Sequence, residues 1–412
     1  MKLLSSAVLL FLVLGSALAY KSYSGYQVLK TAPLTAAAMP YVSRMSQRFD
    51  FWGTPGVGRP ATVMVSPEEA PVVVAAFNRM RVSHEVLVAD LGPQVETQRA
   101  EREALKVSSP RKPRTASYDR FMEFVEIDAH IHETADGNPA IASVLDLGFS
   151  YGGLEFHGLK LSNGQPGQKA VWFDCAIHAR EWLSTPVCLR IIDEVVANPA
   201  LRDLADWYIL PVANPDGYDY SFTDDRFWRK TRRPTADANC PGTDPNRNFD
   251  FLWDAGNPTD YCSEVYPGTG AFSEPEVAAM GNFILDIADN LVLYVAVHSY
   301  GEMILYPYGH TVEPVPNVDQ LIAAGTGTAS ADAIAAVAGT AYTVENSASG
   351  LYFTYGASDD FAYGRGAVEF AYTFELSAGG SGGFDPPASQ IQPVVDEVWP
   401  GMLALVEYVL AN

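Results

Sequence analysis

Residues 170–181 have the sequence Ala-Val-Trp-Phe-Asp-Cys-Ala-Ile-His-Ala-Arg-Glu, an apolar run that leads into polar side chains. A short, nearly uninterrupted apolar run is typical of a strand buried on both faces of a sheet. Further strand-like runs of this kind alternate with helical stretches, at 144–148, 207–212, 291–297 and 368–376. Strands separated in this way by helices predict an α/β domain whose sheet is covered on both faces.

Residues 20–92 show a different pattern, which predicts a small domain of its own. Its expected strands and helices, in chain order, are 26–30, 33–47, 48–52, 61–66, a helix from about residue 67, and 84–90. This β-α-β-β-α-β order is that of a small ferredoxin-like α+β sandwich. Residues 93–114 follow as a polar connecting helix and an exposed basic segment, where proteolysis concentrates. We assign the rest of the chain, 115–412, to the α/β domain.

The chain begins with the features of a secretory signal peptide. Lys2 is followed by the apolar run 7–14 and by the A-x-A triplet 17–19, so we predict that residues 1–19 are removed. The run is too short for a membrane anchor, which takes about 20 apolar residues. We therefore expect a secreted, extracellular protein without a membrane partner. Its four cysteines suit two disulfides in that compartment.

The composition excludes two classes of protein. A chain with 48% hydrophobic residues is not disordered, and a formal net charge of −22 repels nucleic-acid backbones. The charge is unevenly divided, because residues 20–114 hold 13 basic and 8 acidic side chains while residues 115–412 hold 13 and 41. The opposite net charges predict that electrostatic attraction favours the docking of residues 20–114 on residues 115–412.

A metal centre could form from two histidines and a glutamate. His178 and Glu181 are three residues apart, just after one predicted strand, and His298 ends another. Open α/β sheets bind ligands at the carboxyl ends of their strands. Two His and one Glu are a zinc set that leaves the fourth position to water. A lone histidine is more often structural, so the spacing by itself leaves both interpretations open.

Glu375 and two groups of arginines are the other candidates for chemistry. Glu375 lies on the alternating strand 370–376, where a carboxylate is a general base or an edge residue facing water. Four arginines lie in 226–233 and Arg247 lies in 244–248, although the surrounding domain is acidic. A guanidinium suits a carboxylate ligand or a developing oxyanion.

Seven ordered motifs together resemble the digestive zinc carboxypeptidases of the A/B type, as proenzymes. The motifs are 178–182, 214–217, 227–232, 246–248, 298–300, 306–308 and 374–376. The resemblance spans 115–412, and 20–114 is similar to the propeptide of these enzymes. It implies a mixed twisted sheet with helices on both faces, one Zn²⁺ per chain, and hydrolysis of C-terminal peptide bonds. It also implies a monomer that is inhibited by its own propeptide and activated by a trypsin-like protease.

The resemblance also assigns roles to individual residues. His178, Glu181 and His298 would bind zinc, and Asp244 would support His178. Glu375 would be the general base, and Arg229 would polarise the scissile carbonyl. Substrate contacts would come from Arg180, Asn246, Arg247, Tyr300 and a mobile tyrosine. The implied disulfides are Cys175–Cys188 and Cys240–Cys262, and activation would follow cleavage after Arg114, or first after Arg111.

The loop 351–361 carries the predicted specificity. Aligned without a gap from Asp360, it places the mobile tyrosine at Tyr352, while a shorter loop would make it Tyr355. The same register places Asp359 at the base of the pocket for the terminal side chain. An acid there is similar to the B type, which removes Lys and Arg, whereas Gly309 is A-like. We expect B-like specificity, with an A-like preference for aromatic or aliphatic residues as the alternative.

Two other functions compete with this interpretation. Residues 148–152 match G-x-S-x-G, the nucleophile elbow of serine hydrolases, but 154–162 alternate like a strand where an elbow needs a helix. An inactive peptide-binding homologue usually lacks a zinc ligand or the catalytic Glu, and all of these residues are present. The remaining histidines have no consistent partner spacing, and we predict that they are structural or exposed: His84, His130, His132, His157 and His310.

Overall fold

The computed structural model describes residues 20–52, 55–108, 116–326, 329–377 and 383–412. The predicted signal peptide, 1–19, and the predicted cleavage positions Arg111 and Arg114 lie outside these residues. Their boundaries remain predictions.

The small N-terminal unit has the expected β-α-β-β-α-β order. Its elements are β1 (Gln27–Thr31), α1 (Met39–Met45), β2 (Asp50–Phe51), β3 (Thr62–Val65), α2 (Ala70–Arg79) and β4 (His84–Val88). The strands form one antiparallel sheet in the order β2-β3-β1-β4. Val73 and Phe77 of α2 are fully buried in its core. The ferredoxin-like prediction is confirmed.

Helix α1 is shorter than the predicted span 33–47. It begins at Met39, with Pro40 in its first turn. Proline is favoured in the first turn because an N–H there has no intrahelical acceptor, so the lack of an N–H in proline costs no hydrogen bond. The connecting helix α3 (Gly92–Ser108) follows β4, and Val95 in its first turns packs against residues of the small sheet.

The large unit contains the following elements in chain order: α4 (Phe124–Gly137), β5 (Ala142–Phe149), β6 (Glu155–Leu161), β7 (Ala170–Cys175), α5 (Ser184–Ala197), α6 (Pro199–Leu204), β8 (Asp206–Leu210), α7 (Pro215–Thr223), α8 (Pro275–Asp286), β9 (Leu291–Ser299), β10 (Met303–Tyr306), α9 (Val318–Gly325), α10 (Ser330–Ala338), β11 (Thr343–Asn346), α11 (Ser347–Gly350), α12 (Ser358–Gly364), β12 (Phe370–Leu376) and α13 (Ile391–Ala411). Short 3₁₀ turns occur at Pro245–Arg247 and Ala388–Gln390.

Among the residues of this unit that the structure describes, eight strands lie in the order β11-β10-β12-β9-β7-β8-β6-β5. The central strands β12, β9, β7 and β8 are parallel, whereas β10, β6 and β5 join in antiparallel pairs. All six residues of β7 are buried, as expected for the middle of a sheet covered on both faces. The predicted mixed sheet with helices is confirmed.

Within the predicted helix 317–337, the described residues form the helices α9 and α10. Helix α9 ends at Gly325, a poor helix former. By length and composition alone, Val318–Ala338 could span a membrane. In the part of the chain that the structure describes, however, Leu321 and Ile334 of this stretch are buried in the protein core.

The strand order brings the predicted metal ligands together. Strands β7 and β9 are parallel neighbours, so the turn after β7 and the end of β9 meet at one edge of the sheet. Strand β12 lies on the other side of β9, where Glu375 is paired with His298. Candidate residues from three separate parts of the sequence therefore share one cleft.

Candidate active site

Three donor side chains meet at this edge of the sheet. The Nδ1 atoms of His178 and His298 are 3.1 Å apart. The Glu181 carboxylate oxygens lie 2.7 Å from Nδ1 of His178 and 3.0 Å from Nδ1 of His298. A tetrahedral zinc ion with Zn–N bonds of about 2.0 Å separates its ligands by about 3.3 Å. The donor set therefore fits Zn²⁺ in both type and spacing.

The protonation of these residues is suited to a cation. Burial and the nearby Arg229 lower the pKa of His178, which keeps its ring neutral. Burial alone would also lower the pKa of His298, but the Glu181 carboxylate raises it to about 9. Burial would raise the pKa of Glu181, yet the two histidines outweigh it and the pKa is lowered. The ionised Glu181 carboxylate therefore favours a positive charge beside the two rings, and a bound metal ion supplies such a charge.

Asp244 lies behind His178 and is fully buried. Its Oδ1 accepts a hydrogen bond from Nε2 of His178 at 3.1 Å, and its Oδ2 accepts one from Nη2 of Arg229 at 2.9 Å. Burial would raise the pKa of Asp244, but Arg229 and His178 hold it well below its ordinary value. The bond to Nε2 selects the tautomer that leaves Nδ1 free for a metal.

Glu375 and Arg229 line a cleft of about 750 Å³ beside the three donors. Burial raises the pKa of Glu375 to about 8, against the lowering effect of His298. A carboxyl group that titrates near neutral pH can both take and return a proton. Arg229 is held in place because its Nε donates to the backbone oxygen of Glu264 at 3.2 Å. Glu264 belongs to none of the sequence motifs, so its contact with Arg229 is seen only in the folded structure.

Asn246, Arg247 and Tyr352 form the next part of the cleft. Nη2 of Arg247 donates to the Tyr352 hydroxyl at 2.7 Å, and Oδ1 of Asn246 accepts from the backbone N–H of Ser358 at 2.8 Å. Tyr355 packs its ring against Gly256 instead. Of the two tyrosines considered from the sequence, the structure therefore places Tyr352 beside the arginine.

Asp359 is buried in the wall of the same cleft, with 4% of its surface exposed. Ser347 donates to its Oδ2 at 3.3 Å. Burial and the neighbouring Asp360 raise the pKa of Asp359 to about 7. Among the residues that the structure describes, no Lys or Arg side chain forms an ion pair with it. The pocket thus contains an acid without a basic partner.

Residues 127–401 match the family model described as zinc carboxypeptidase, and residues 36–98 match the one described as carboxypeptidase activation peptide. The chain belongs to the zinc carboxypeptidase family.

This zinc carboxypeptidase is similar to relatives named carboxypeptidase A and to relatives named carboxypeptidase B. Carboxypeptidase B of Astacus astacus is 39% identical over 295 residues, which are 70% of this chain and 97% of that protein. Carboxypeptidase A1 of Bos taurus is 30% identical over 418 residues, 98% of this chain and 99% of that protein. The crystal structure of carboxypeptidase A from Helicoverpa armigera superposes with a TM-score of 0.87 at 30% identity, covering 95% of this chain and 98% of that one. The family is a zinc metallocarboxypeptidase family, and the structure has its His-Glu-His site.

The activation peptide of this zinc carboxypeptidase covers the cleft. Nη1 of Arg180 donates to both carboxylate oxygens of Asp50, at 2.8 and 2.9 Å. The ring of Trp52, next to β2, packs 4.8 Å from that of Phe227 and 5.4 Å from that of Phe384. Lys30, Met39 and Phe51 are among the propeptide residues that line the cleft. Substrate would have to displace these groups, so the zymogen is held inactive by its own N-terminal unit.

Two further contacts close the covered cleft at other points. Nη2 of Arg59 forms an ion pair with Oε1 of Glu345 at 2.9 Å. Tyr300 packs edge to face on Phe384 at 5.1 Å and contacts Thr62 of the propeptide. Tyr300 therefore lies where the two units meet.

The enzyme contains both of the disulfides that were expected. Cys175 is bonded to Cys188, and Cys240 to Cys262. The first links the end of β7 to α5 beside the metal ligands. Each bridge of this kind typically contributes about 2–4 kcal/mol of stability.

The serine-hydrolase alternative fails on geometry. Ser150 lies between β5 and β6, donates to Asp216 at 2.6 Å, and is followed by a strand and not by a helix. The remaining histidines were predicted to be structural or exposed, and the structure shows a shared contact for two of them, His132 and His157. Both approach Asp128, which the sequence did not single out because the three residues come from a helix and a strand.

Proposed function

We propose that the mature enzyme removes Lys and Arg from the C-termini of peptides. The observation that carries this proposal is the buried carboxyl of Asp359, which has no basic partner in the described structure. A cationic side chain would pair with its charge, whereas an apolar one would leave that charge buried and unpaired. The pKa of about 7 favours the A-like alternative at low pH, because a neutral carboxyl tolerates an apolar side chain.

The terminal carboxylate of the substrate is bound by Asn246 and Arg247 in this proposal. A guanidinium and an amide supply several donors in one place, which suits a planar carboxylate. Tyr352 already contacts Arg247 and would close over the terminal residue. Arg180 and Tyr300, freed from the propeptide, would hold the preceding residues.

Peptide hydrolysis then needs a proton carrier and a stabiliser of negative charge. His178, Glu181 and His298 would hold Zn²⁺, which would act as a Lewis acid and lower the pKa of a water molecule. Glu375 takes the proton of the attacking water as the new carbon–oxygen bond forms, and passes it to the amine as the carbon–nitrogen bond breaks. Arg229 stabilises the oxyanion through its guanidinium.

The path to the active enzyme is part of the same proposal. We place the protein in a secretory route to the extracellular, digestive lumen, supported by the signal-like residues 1–19 and the two disulfides. A trypsin-like protease would cut after Arg114 and release a monomeric catalytic unit. The substrates would be peptide and protein C-termini.

The test changes the pocket acid and compares two substrates. Trypsin-activated wild type, Asp359→Asn and the control Asp254→Asn are assayed on matched peptides ending in Arg and in Phe. Asp254 is an exposed carboxylate outside the cleft, so its variant loses the same charge elsewhere. We expect Asp359→Asn to lower the Arg-to-Phe ratio of kcat/KM by about 100-fold, as for a lost buried ion pair, and Asp254→Asn to leave it unchanged. An unchanged ratio in Asp359→Asn would refute the proposal.

A further inference from the structure

A second cluster of metal-type donors lies away from the catalytic cleft. Asp128 and His132 are one helical turn apart on α4 and share one face. His157 lies on β6, which is separated from β9 by β7 and β8. One donor atom from each residue lies within 4.8 Å of the other two. The fold thus joins three ligands that are distant in sequence.

One separation in this cluster equals one in the catalytic centre, and the other is longer. Nδ1 of His157 is 2.7 Å from Oδ1 of Asp128, the same separation as between His178 and Glu181. Nε2 of His132 is 4.0 Å from Oδ2 of Asp128. The two histidine rings are 4.7 Å apart and inclined by 76°. The planes of two stacked rings do not intersect, whereas the planes of rings at this angle do, so both rings can direct a lone pair at one point.

The cluster is accessible to an ion from solution. The side chain of His157 is 9% exposed, that of Asp128 28% and that of His132 46%. Asp146 stands opposite His157 in the β5–β6 pair and adds a carboxylate to the same face of the sheet. Among the residues that the structure describes, the third such cluster is Asp237 with Cys240 and Cys262. It is excluded because those cysteines form a disulfide.

We propose that Asp128, His132 and His157 form a second divalent-cation site that binds Zn²⁺. Two imidazoles and one carboxylate are a three-ligand zinc set, with water in the fourth position. The ion would join α4, the first helix of the large unit, to the strand β6 near the end of its sheet. Its effect is therefore on stability and not on peptide hydrolysis.

The experiment adds ZnCl₂ to the zinc-loaded zymogen and measures stoichiometry by calorimetry and Tm by thermal unfolding. Wild type is compared with His132→Ala, Asp128→Asn and the control Glu133→Gln, which removes an exposed carboxylate of the same helix. We expect wild type and Glu133→Gln to bind one extra equivalent of Zn²⁺. Because the ion binds only the folded state, their Tm should rise by about 2–4 °C. His132→Ala and Asp128→Asn should lose both the extra equivalent and the rise.

Two controls separate this site from folding and from catalysis. The side chain of His132 is half exposed, so without added zinc the Tm of His132→Ala should equal that of wild type. The activated variant should keep its peptidase activity. No extra equivalent in wild type, or one that persists in both His132→Ala and Asp128→Asn, would overturn the proposal.

Discussion

Arg180 of the substrate groove is bound to Asp50 of the activation peptide, with both carboxylate oxygens within 2.9 Å of its Nη1 atom. The side chain of Arg180 is 3% exposed and that of Asp50 is 18% exposed. A pair so shielded from water is stronger than one at an open surface. The contact accounts for part of the inhibition, because a peptide cannot use Arg180 while Asp50 holds it.

Replacing Asp50 with Asn should weaken propeptide binding after cleavage. Loss of the ion pair leaves Arg180 without a charged partner, and we expect the dissociation constant of the cleaved complex to rise at least about tenfold, or 1.4 kcal/mol. The measurement follows peptidase activity on dilution of cleaved zymogen at several salt concentrations. Glu85→Gln, an exposed carboxylate on β4, should behave as wild type. Equal dissociation constants for Asp50→Asn and wild type would remove this pair from the inhibition.

Glu375→Gln should keep zinc and lose activity. The amide cannot carry the proton between water and amine, and general-base catalysis typically supplies about 10²–10⁴ in rate. Zinc content and kcat are measured on the activated variant, with Glu369→Gln, just before the same strand, as the control. Turnover of Glu375→Gln near that of wild type would assign the base role to another residue.

Tyr352→Phe and Tyr355→Phe distinguish the two loop registers. The first loses the hydroxyl that accepts from Arg247, which we expect to raise KM by about fivefold, or 1 kcal/mol. The second keeps its ring against Gly256 and should leave both KM and kcat unchanged. Steady-state kinetics on one peptide are sufficient. If only Tyr355→Phe changed KM, the gapless register would be wrong.

Selectivity should depend on pH through Asp359. Its pKa in the folded enzyme is about 7, so the carboxyl is neutral below this pH and charged above it. A cationic terminal residue gains only from the charged form. The Arg-to-Phe ratio of kcat/KM should therefore rise as pH increases through about 7, since kcat/KM reports the free enzyme. Asp359→Asn should show a flat ratio, and a flat ratio in wild type would contradict the role of Asp359.

Much of the fold was predictable because its signals are local. The buried strand β7 has the bounds 170–175 that its apolar run predicts, and the metal ligands follow strands whose carboxyl ends must meet. Alternation along the strand 370–376 left Glu375 as either a general base or an edge residue facing water, and the structure places it beside His298.

Other features depend on contacts between distant segments. The pairing of Asp50 with Arg180 joins residues that are 130 positions apart, and no motif marks Asp50. The cluster of Asp128 with His157 requires α4 to pack on β6, which spacing along one element cannot show. The start of α1 at Met39 shows how a proline position sets a boundary that periodicity alone misplaces.

A preference for basic C-terminal residues can be measured on the activated wild-type enzyme itself. The measurement is kcat/KM at pH 8 on two peptides that differ only in ending in Arg or in Phe. At this pH Asp359 is mostly ionised, and we predict a preference of at least about 100-fold for Arg. A clear preference for the peptide ending in Phe would contradict the account.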